Sequence, residues 1–204
     1  MMPGDDCIQD KPLGPHCVHL CVDMQNLFAE GSDWHTPWMN RVLPLVERLV
    51  AAHPAETVFT RFIPADHPGE GRGTWKAYYE HWPKMTLQAL PPHAIELMPA
   101  LARHVPPAQV VDKTIYSPWP GTGLDEMLRQ RGTDTLVISG AETDVCVLAA
   151  VLGAVDFGYR VVIPRDALCS SSDAMHDALL ELYRHRYGRQ VEVGSVDQIL
   201  ALWP

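Results

Sequence analysis

Residues 135–151 read TLVISGAETDVCVLAAV, a short apolar run and a longer one joined by a turn of small and polar residues. The first run predicts a buried strand over Thr135 to Ser139, and the second predicts a helix over Thr143 to Phe157. A strand followed directly by a helix is half of a β–α–β unit. This stretch therefore favours a parallel sheet whose strands alternate with helices.

The same alternation continues on both sides of that stretch. The further strands are predicted at Cys17 to Val22, Thr57 to Phe62, Gln109 to Val111, Arg160 to Ile163 and Gln190 to Val193. The further helices are predicted at Thr36 to Ala52, Leu124 to Arg131, Asp173 to Arg186 and Val196 to Leu202. The pattern predicts a three-layer α/β/α fold with a six-stranded, mostly parallel sheet.

The length of 204 residues is suited to one well-buried α/β domain, which we expect to span residues 17–204. Residues 1–16 are rich in aspartate, proline and glycine and are expected to form a flexible N-terminal tail. The stretch from Pro64 to Pro107 is rich in proline, glycine and aromatic residues, with short helices near Trp75 to His81 and Ala94 to Arg103. Such an excursion over a sheet edge often forms a lid or a binding wall.

Charge and cysteine content exclude several classes of protein. The net charge is −9, and no run of lysine and arginine exists that would neutralise a row of phosphates, which argues against nucleic acid. No segment approaches the roughly 20 apolar residues that span a bilayer. Five cysteines without CxxC spacing argue against a disulfide framework and a structural zinc site. We expect a cytoplasmic protein whose partners are a small-molecule substrate and further copies of the same chain.

Polar residues that follow the predicted strands are the candidates for a functional site. In an open parallel sheet, ligands bind beyond the carboxyl ends of the strands. The residues found there are Asp23, Arg61, Asp112, Lys113, the segment 140–146, Arg165 and Asp166. The sequence therefore predicts a converging set of charged groups around one cysteine.

Cys146 is predicted to lie in the first turn of a helix, where free backbone N–H groups and the helix dipole favour a thiolate. The ammonium group of Lys113 would lower the pKa of the thiol further. Asp23 would accept the thiol proton and return it to a leaving amine. The alternative is that Cys146 is a small buried apolar residue without chemistry.

Three segments resemble the motifs of isochorismatase-like cysteine hydrolases. Residues 22–28, VDMQNLF, are similar to the D-x-Q-x-x-F motif after the first strand of that family. Residues 111–113, VDK, are similar to the segment that supplies its lysine, and residues 139–147, SGAETDVCV, are similar to its G-x-x-T-x-x-C-V turn. The segments occur in the order of the family. The resemblance implies strand order 3-2-1-4-5-6, although order 2-1-3-4-5-6 would also gather the three residues.

The resemblance implies catalytic roles for Asp23, Lys113 and Cys146. It also implies a cis peptide bond between Ala141 and Glu142, which would direct the backbone N–H groups of Glu142 and Cys146 into an oxyanion hole. The implied reaction is hydrolysis of a C–N bond in a small amide, ureide or N-carbamoyl compound through a thioester, without a cofactor.

The sequence departs from the nicotinamidases of that family at the metal site. Many nicotinamidases carry a metal-binding D-x-H, written T-x-D-x-H-P, just after the second strand. In the similar segment of this sequence, Phe62 and Pro64 occupy the positions of the two ligands. We therefore expect no bound metal, and we interpret Asp66, His67 and His81 as surface residues.

Phe28 and Trp119 are the predicted pocket residues, because each follows a predicted catalytic residue closely. Arg61 is predicted to bind a substrate carboxylate or carbonyl, with an ion pair to a local acid such as Asp66 as the alternative. The other nearby aromatic residues, for which packing is the alternative, are Trp75, Tyr78, Tyr79, Trp82 and Tyr116.

Two other functions are compatible with the same pattern. A vinyl-ether hydrolase of the isochorismatase type would use the pocket without needing the thiol of Cys146. A non-catalytic binding protein would show neither turnover nor selective thiol reactivity.

Overall fold

A parallel sheet forms the centre of the molecule, for which the computed structural model describes residues 7–29 and 31–203. Its strands are Cys17–Val22 (β1), Thr57–Phe62 (β2), Gln109–Lys113 (β3), Thr135–Ala141 (β4), Arg160–Pro164 (β5), Leu168–Cys169 (β6) and Val191–Gly194 (β7). Their order is β3-β2-β1-β4-β5-β7, and the short β6 pairs with the end of β4. This confirms the predicted order 3-2-1-4-5-6, with β7 as the sixth predicted strand and β6 as an addition.

Helices cover both faces of the sheet, so the three-layer α/β/α fold is confirmed. The α-helices are Met39–Ala52 (α1), Thr74–His81 (α2), Pro99–Ala102 (α3), Leu124–Gln130 (α4), Cys146–Asp156 (α5), Asp173–Arg186 (α6) and Val196–Leu202 (α7). Short 3₁₀ helices lie at Asn26–Phe28, Pro83–Met85 and Pro92–Ile95. One apolar core contains residues of α1 and α7, and the other contains residues of α4, α5 and α6.

Strand β1 shows how one sequence serves both cores. Cys17 and Cys21 belong to the core under α1, whereas Val18, Leu20 and Val22 belong to the core under α5. Successive side chains of a strand point to opposite faces, so a strand covered on both sides is mostly apolar. The one polar residue of β1 is the buried His19, whose Nε2 lies 2.7 Å from Ser139 Oγ.

Several boundaries differ from the predicted ones. Strand β3 continues to Lys113 rather than ending at Val111, and α5 begins at Cys146 rather than Thr143. The Thr143 N–H donates to the Cys169 carbonyl at 2.9 Å, which ties the turn to β6 and delays the helix. The helix predicted from Ala94 is divided into two short ones, because Pro99 restricts the residue before it and has no N–H to donate.

Residues 7–16, part of the predicted flexible tail, form hydrogen bonds to β7 and to the end of α7, and the flexibility of the tail stays a prediction. The Cys7 N–H donates to the Val193 carbonyl of β7 at 3.0 Å, and the Leu13 N–H donates to the Leu202 carbonyl at 2.9 Å. Leu13 is buried in the core under α1, because its apolar side chain fills space beside α7. Residues 1–6 of the predicted tail lie outside the described residues.

The excursion from residue 64 to residue 107 lies over the carboxyl ends of β1 and β2. The Met98 N–H donates to the Met24 carbonyl at 3.0 Å, and Gln25 forms an antiparallel bridge with Leu97. None of the helices in the described part of the chain combines the length and the apolarity needed to cross a bilayer.

Candidate active site

The strand order brings the three predicted catalytic residues to one edge of the sheet. Asp23 follows β1, Lys113 ends β3, and Cys146 begins α5 just beyond β4. Strands β1 and β4 approach each other closely at their ends. A Cβ atom added at Gly140 would lie only 2.1 Å from the Val22 carbonyl oxygen. Only glycine permits this approach, and Gly140 also has a positive φ of 110°.

Lys113 contacts both of the other residues. Its Nζ lies 2.6 Å from Asp23 Oδ2 and 3.4 Å from Cys146 Sγ, and it also donates to the Ile115 carbonyl at 3.2 Å. The side chains of Lys113 and Asp23 are fully inaccessible to solvent, and Cys146 is buried with 6% exposure. A carboxylate, an ammonium and a thiol therefore share one dry site, where electrostatic interactions are strong.

Asp23 is held in a fixed orientation. The Thr60 hydroxyl donates to Asp23 Oδ1 at 2.5 Å, and the Asp23 N–H donates to the Thr60 carbonyl at 3.2 Å. Asp23 has a φ of 51°, in the left-handed region that non-glycine residues seldom adopt. Such a conformation persists only where surrounding contacts enforce it, and it is common at functional sites.

Gln25 connects the loop after β1 to the excursion. Its Nε2 donates to the Phe62 carbonyl at 3.0 Å and to the Ile95 carbonyl at 2.8 Å, while its Oε1 accepts from the Phe62 N–H at 2.7 Å. No role was predicted for Gln25 or Thr60 from the sequence. The signal for Gln25 was its place in the D-x-Q-x-x-F segment, and the signal for Thr60 was its place near the end of β2.

The pKa of the Cys146 thiol differs from the expectation. Burial raises this pKa well above its usual value, and the Asp23 carboxylate raises it further, while Lys113 lowers it. Burial lowers the pKa of Lys113, the charges of Asp23 and Cys146 raise it, and the net pKa lies above the usual value. The burial of Cys146 therefore opposes the thiolate that helix position and Lys113 were expected to favour.

The turn between β4 and α5 is anchored by side-chain hydrogen bonds. The Thr143 hydroxyl donates to the Cys169 carbonyl at 3.1 Å and lies 2.8 Å from His176 Nδ1. The peptide bond between Ala141 and Glu142 is cis, at the position that the family resemblance implies. The oxyanion role of the Glu142 and Cys146 N–H groups stays a prediction.

A cavity of about 340 Å³ opens above Cys146 Sγ. Its lining combines aromatic rings with a few polar groups: Phe28, Asp33, Trp34, His35, Phe62, Tyr78, Trp82, Tyr116, Glu142, Val145, Cys146 and Ser171. Phe28 lies where it was predicted. The polar residues Asp33, His35 and Ser171 were not predicted, because they belong to loops without a regular pattern.

Trp119 does not line this cavity, which corrects the prediction. Its ring packs on α5, where a Cβ atom at Gly153 would lie 2.2 Å from it, and its Nε1–H donates to the Ala150 carbonyl at 3.0 Å. It also stacks on Tyr159 with ring centroids 5.9 Å apart. The absence of a side chain at Gly153 creates the space that Trp119 fills, so this residue belongs to the core.

Arg61 also lies outside the cavity. Its guanidinium forms a bidentate pair with Asp112 at 2.8 and 2.9 Å and a third contact with Glu96 at 2.9 Å. The hydrogen bonding that Arg61 donates to the Asp112 carboxylate is the main cause of the raised pKa of Arg61, and Glu96 adds to it. Arg61 forms its ion pairs with these acids rather than with Asp66, because the register of β2 and β3 places Arg61 opposite Asp112.

Phe62 places an aromatic ring at one of the two positions where nicotinamidases are expected to carry a metal ligand. Phe62 lines the cavity, and Lys113 Nζ lies 5.0 Å from the centroid of its ring, a cation–π contact. His67 Nδ1 lies 3.1 Å from Gln88 Oε1 at the surface. Within residues 7–29 and 31–203, no group of three or more His, Cys, Asp or Glu side chains is arranged to hold a metal ion.

Known proteins are similar to this chain in sequence and in fold. The N-carbamoylsarcosine amidase of Arthrobacter sp is 28% identical over 198 residues, which covers 93% of this chain and 72% of that protein. The uncharacterized isochorismatase family protein PncA of Bacillus subtilis (strain 168) is 32% identical over 113 residues, or 50% of this chain. That match spans 62% of the Bacillus protein, less than two thirds of its length.

The crystal structure of a cysteine hydrolase from Pseudomonas syringae pv. phaseolicola 1448A has the same fold, with a TM-score of 0.79. The identity is 24%, and the alignment covers 98% of both chains. The family model of the isochorismatase domain matches residues 17–195, from the start of β1 to the residue after β7. Since this match covers most of the chain, the protein belongs to the isochorismatase family of hydrolases.

Proposed function

We propose that the protein hydrolyses a C–N bond of a small amide, ureide or N-carbamoyl compound through a thioester on Cys146. The observation that carries this proposal is the contact among Cys146 Sγ, Lys113 Nζ and the Asp23 carboxylate next to the cavity. The names of two relatives, N-carbamoylsarcosine amidase and maleamate amidohydrolase, support amide chemistry.

In the first step, the Cys146 thiol transfers its proton to Asp23 as Sγ attacks the substrate carbonyl carbon. Transfer to Asp23 during attack suits a thiol whose pKa is raised by burial, because no free thiolate has to persist in the dry site. The S–C bond forms, and the carbonyl oxygen takes up negative charge. The N–H groups of Glu142 and Cys146 are the proposed donors to that oxygen.

In the second step, the tetrahedral species collapses and the C–N bond breaks. Asp23 returns the proton to the departing nitrogen, which leaves as ammonia or an amine. Water then attacks the thioester, gives up a proton to Asp23, and releases the acid while Cys146 regains its proton. Lys113 is the proposed cation of the site, because negative charge on Asp23 and Cys146 raises its pKa, and it stabilises the negative charges that form beside it.

A screen of small amides and ureides for ammonia release tests this function. The wild-type protein should release ammonia, and Cys146→Ala should lower the rate by at least about 10³-fold. Cys21→Ala is a matched control, since Cys21 is buried in β1 and does not line the cavity. Added hydroxylamine should divert the thioester to a hydroxamate. Full turnover in Cys146→Ala would overturn the proposal.

The vinyl-ether alternative differs in one measurable respect. Cleavage of a vinyl ether releases no ammonia and does not require Cys146, so its rate should be unchanged in both Cys146→Ala and Asp23→Asn. A non-catalytic binding protein would release no product from any compound in either screen.

A further inference from the structure

The acidic residues that line the cavity are not matched by lysine or arginine. Asp33 and Glu142 contribute carboxylates, and among the described residues of the lining the one basic side chain is that of His35. The charge of Lys113 is neutralised by Asp23 at 2.6 Å, and Arg61 is turned toward Asp112 and away from the cavity. A carboxylate on the substrate would therefore meet two like charges without a lysine or arginine partner, which is unfavourable.

The carboxylate of Glu142 is held in place before any ligand arrives. The Ser171 N–H donates to Glu142 Oε1 at 2.8 Å, and the Thr36 hydroxyl donates to the same oxygen at 3.4 Å. Within the described part of the chain, both of these bonds use Oε1, which leaves Oε2 as an acceptor. A fixed anion loses little entropy when a cation binds, so it favours a cationic ligand more than a mobile one would.

Aromatic rings make up half of the lining. Six of its twelve residues are aromatic: Phe28, Trp34, Phe62, Tyr78, Trp82 and Tyr116. Trp34 is central, since its ring centroid lies between 5.7 and 6.5 Å from four of the other five rings. The faces of such rings attract cations, and boxes of several aromatic residues bind alkylated ammonium groups.

We propose that the substrate of this site carries a cationic, alkylated ammonium group, which the aromatic rings and the carboxylates of Asp33 and Glu142 bind while its amide reaches Cys146. This inference rests on the proposed amide hydrolysis and narrows its substrate class. A cavity of about 340 Å³ suits a small molecule that contains both groups. It also replaces the earlier expectation that Arg61 admits a substrate carboxylate.

Three small amides that carry different charges test the inference. Betainamide carries a trimethylammonium group, 3,3-dimethylbutanamide is its neutral isostere, and succinamate carries a carboxylate. Binding is measured by calorimetry with the full-length Cys146→Ala protein, so that turnover does not interfere. We expect betainamide to bind about tenfold more tightly than the isostere, and succinamate to bind most weakly.

Further substitutions in the same background separate the site from the overall charge. Glu142→Gln and Asp33→Asn should each weaken betainamide binding by about threefold or more and leave the isostere within about twofold. Glu181→Gln removes the same charge from the exposed face of α6 and should leave the affinity for both amides unchanged. Equal affinity for the first two amides, tightest binding of succinamate, or no binding of betainamide at all would overturn the inference.

Ammonia release by the wild-type protein is measured on the same three amides. A preference for betainamide in binding without ammonia release from any amide would leave the inference standing and refute the proposed hydrolysis. Hydrolysis with a preference for the isostere or for succinamate would leave the hydrolysis standing and refute the inference.

Discussion

Replacement of Lys113 by methionine tests the buried ion pair at the centre of the site. Methionine keeps most of the length of the side chain and removes the charge, so the carboxylate of Asp23 is left buried without its cation, although Thr60 still donates to it. Removal of one partner of a fully buried pair costs about 3–5 kcal/mol. Because domains are stable by only about 5–15 kcal/mol, we expect a large fall in the free energy of unfolding.

A double-mutant cycle isolates the interaction itself. Asp23→Asn alone should also destabilise the protein, because it leaves the ammonium of Lys113 buried without its partner. The double variant Asp23→Asn with Lys113→Met carries no stranded charge, and its loss should be smaller than the sum of the single losses by about 2–3 kcal/mol. Urea unfolding at pH 7, followed by circular dichroism, measures all four free energies.

Lys76→Met is the matched control, since Lys76 lies exposed on α2 and its replacement should change stability by less than about 0.5 kcal/mol. If the loss of unfolding free energy in the double variant equals the sum of the two single losses within about 0.5 kcal/mol, Asp23 and Lys113 are not coupled and the predicted ion pair is refuted.

Three further predictions follow from the geometry. Asp23→Asn removes a charge that raises the pKa of Cys146, so iodoacetamide should label this thiol faster at neutral pH, by about tenfold per unit of lowered pKa, while turnover falls; slower labelling would contradict this. Gly140→Ala should lower the free energy of unfolding by about 3 kcal/mol or more, measured in urea, and a loss below about 1 kcal/mol would exclude the close strand approach. Gly153→Ala should cost about 1–3 kcal/mol in the wild type and less in Trp119→Phe, whose KM should stay within about twofold; a much higher KM would return Trp119 to the pocket.

The fold could be predicted because its signals are local. Most of the strands with four or more residues correspond to a short apolar run in the sequence. A helix pattern follows most of these runs, so the alternation alone indicates a parallel sheet. Family resemblance then favoured the strand order that the structure has. The two-residue strand β6 could not be predicted, because it depends on its pairing with Gly140 and Ala141 at the end of β4.

The catalytic candidates could also be predicted, because parallel strands end at one edge of the sheet and Asp23 and Lys113 lie there. The environment of Cys146 could not. Its position at the start of α5 favoured a low pKa, but burial, which depends on the surrounding tertiary structure, has the larger effect. Closeness in sequence to a catalytic residue likewise suggested that Trp119 lines the pocket, whereas the direction of its side chain is set by the missing side chain at Gly153.

The most direct test of the central claim is the mass of the enzyme during turnover. The wild-type protein is mixed with an amide that it hydrolyses, quenched in acid within milliseconds, and digested for peptide mapping by mass spectrometry. We expect the acyl group of the substrate on the peptide that contains Cys146, and we expect hydroxylamine to remove it. Rapid turnover without such an adduct, together with undiminished activity in Cys146→Ala, would contradict the proposed thioester.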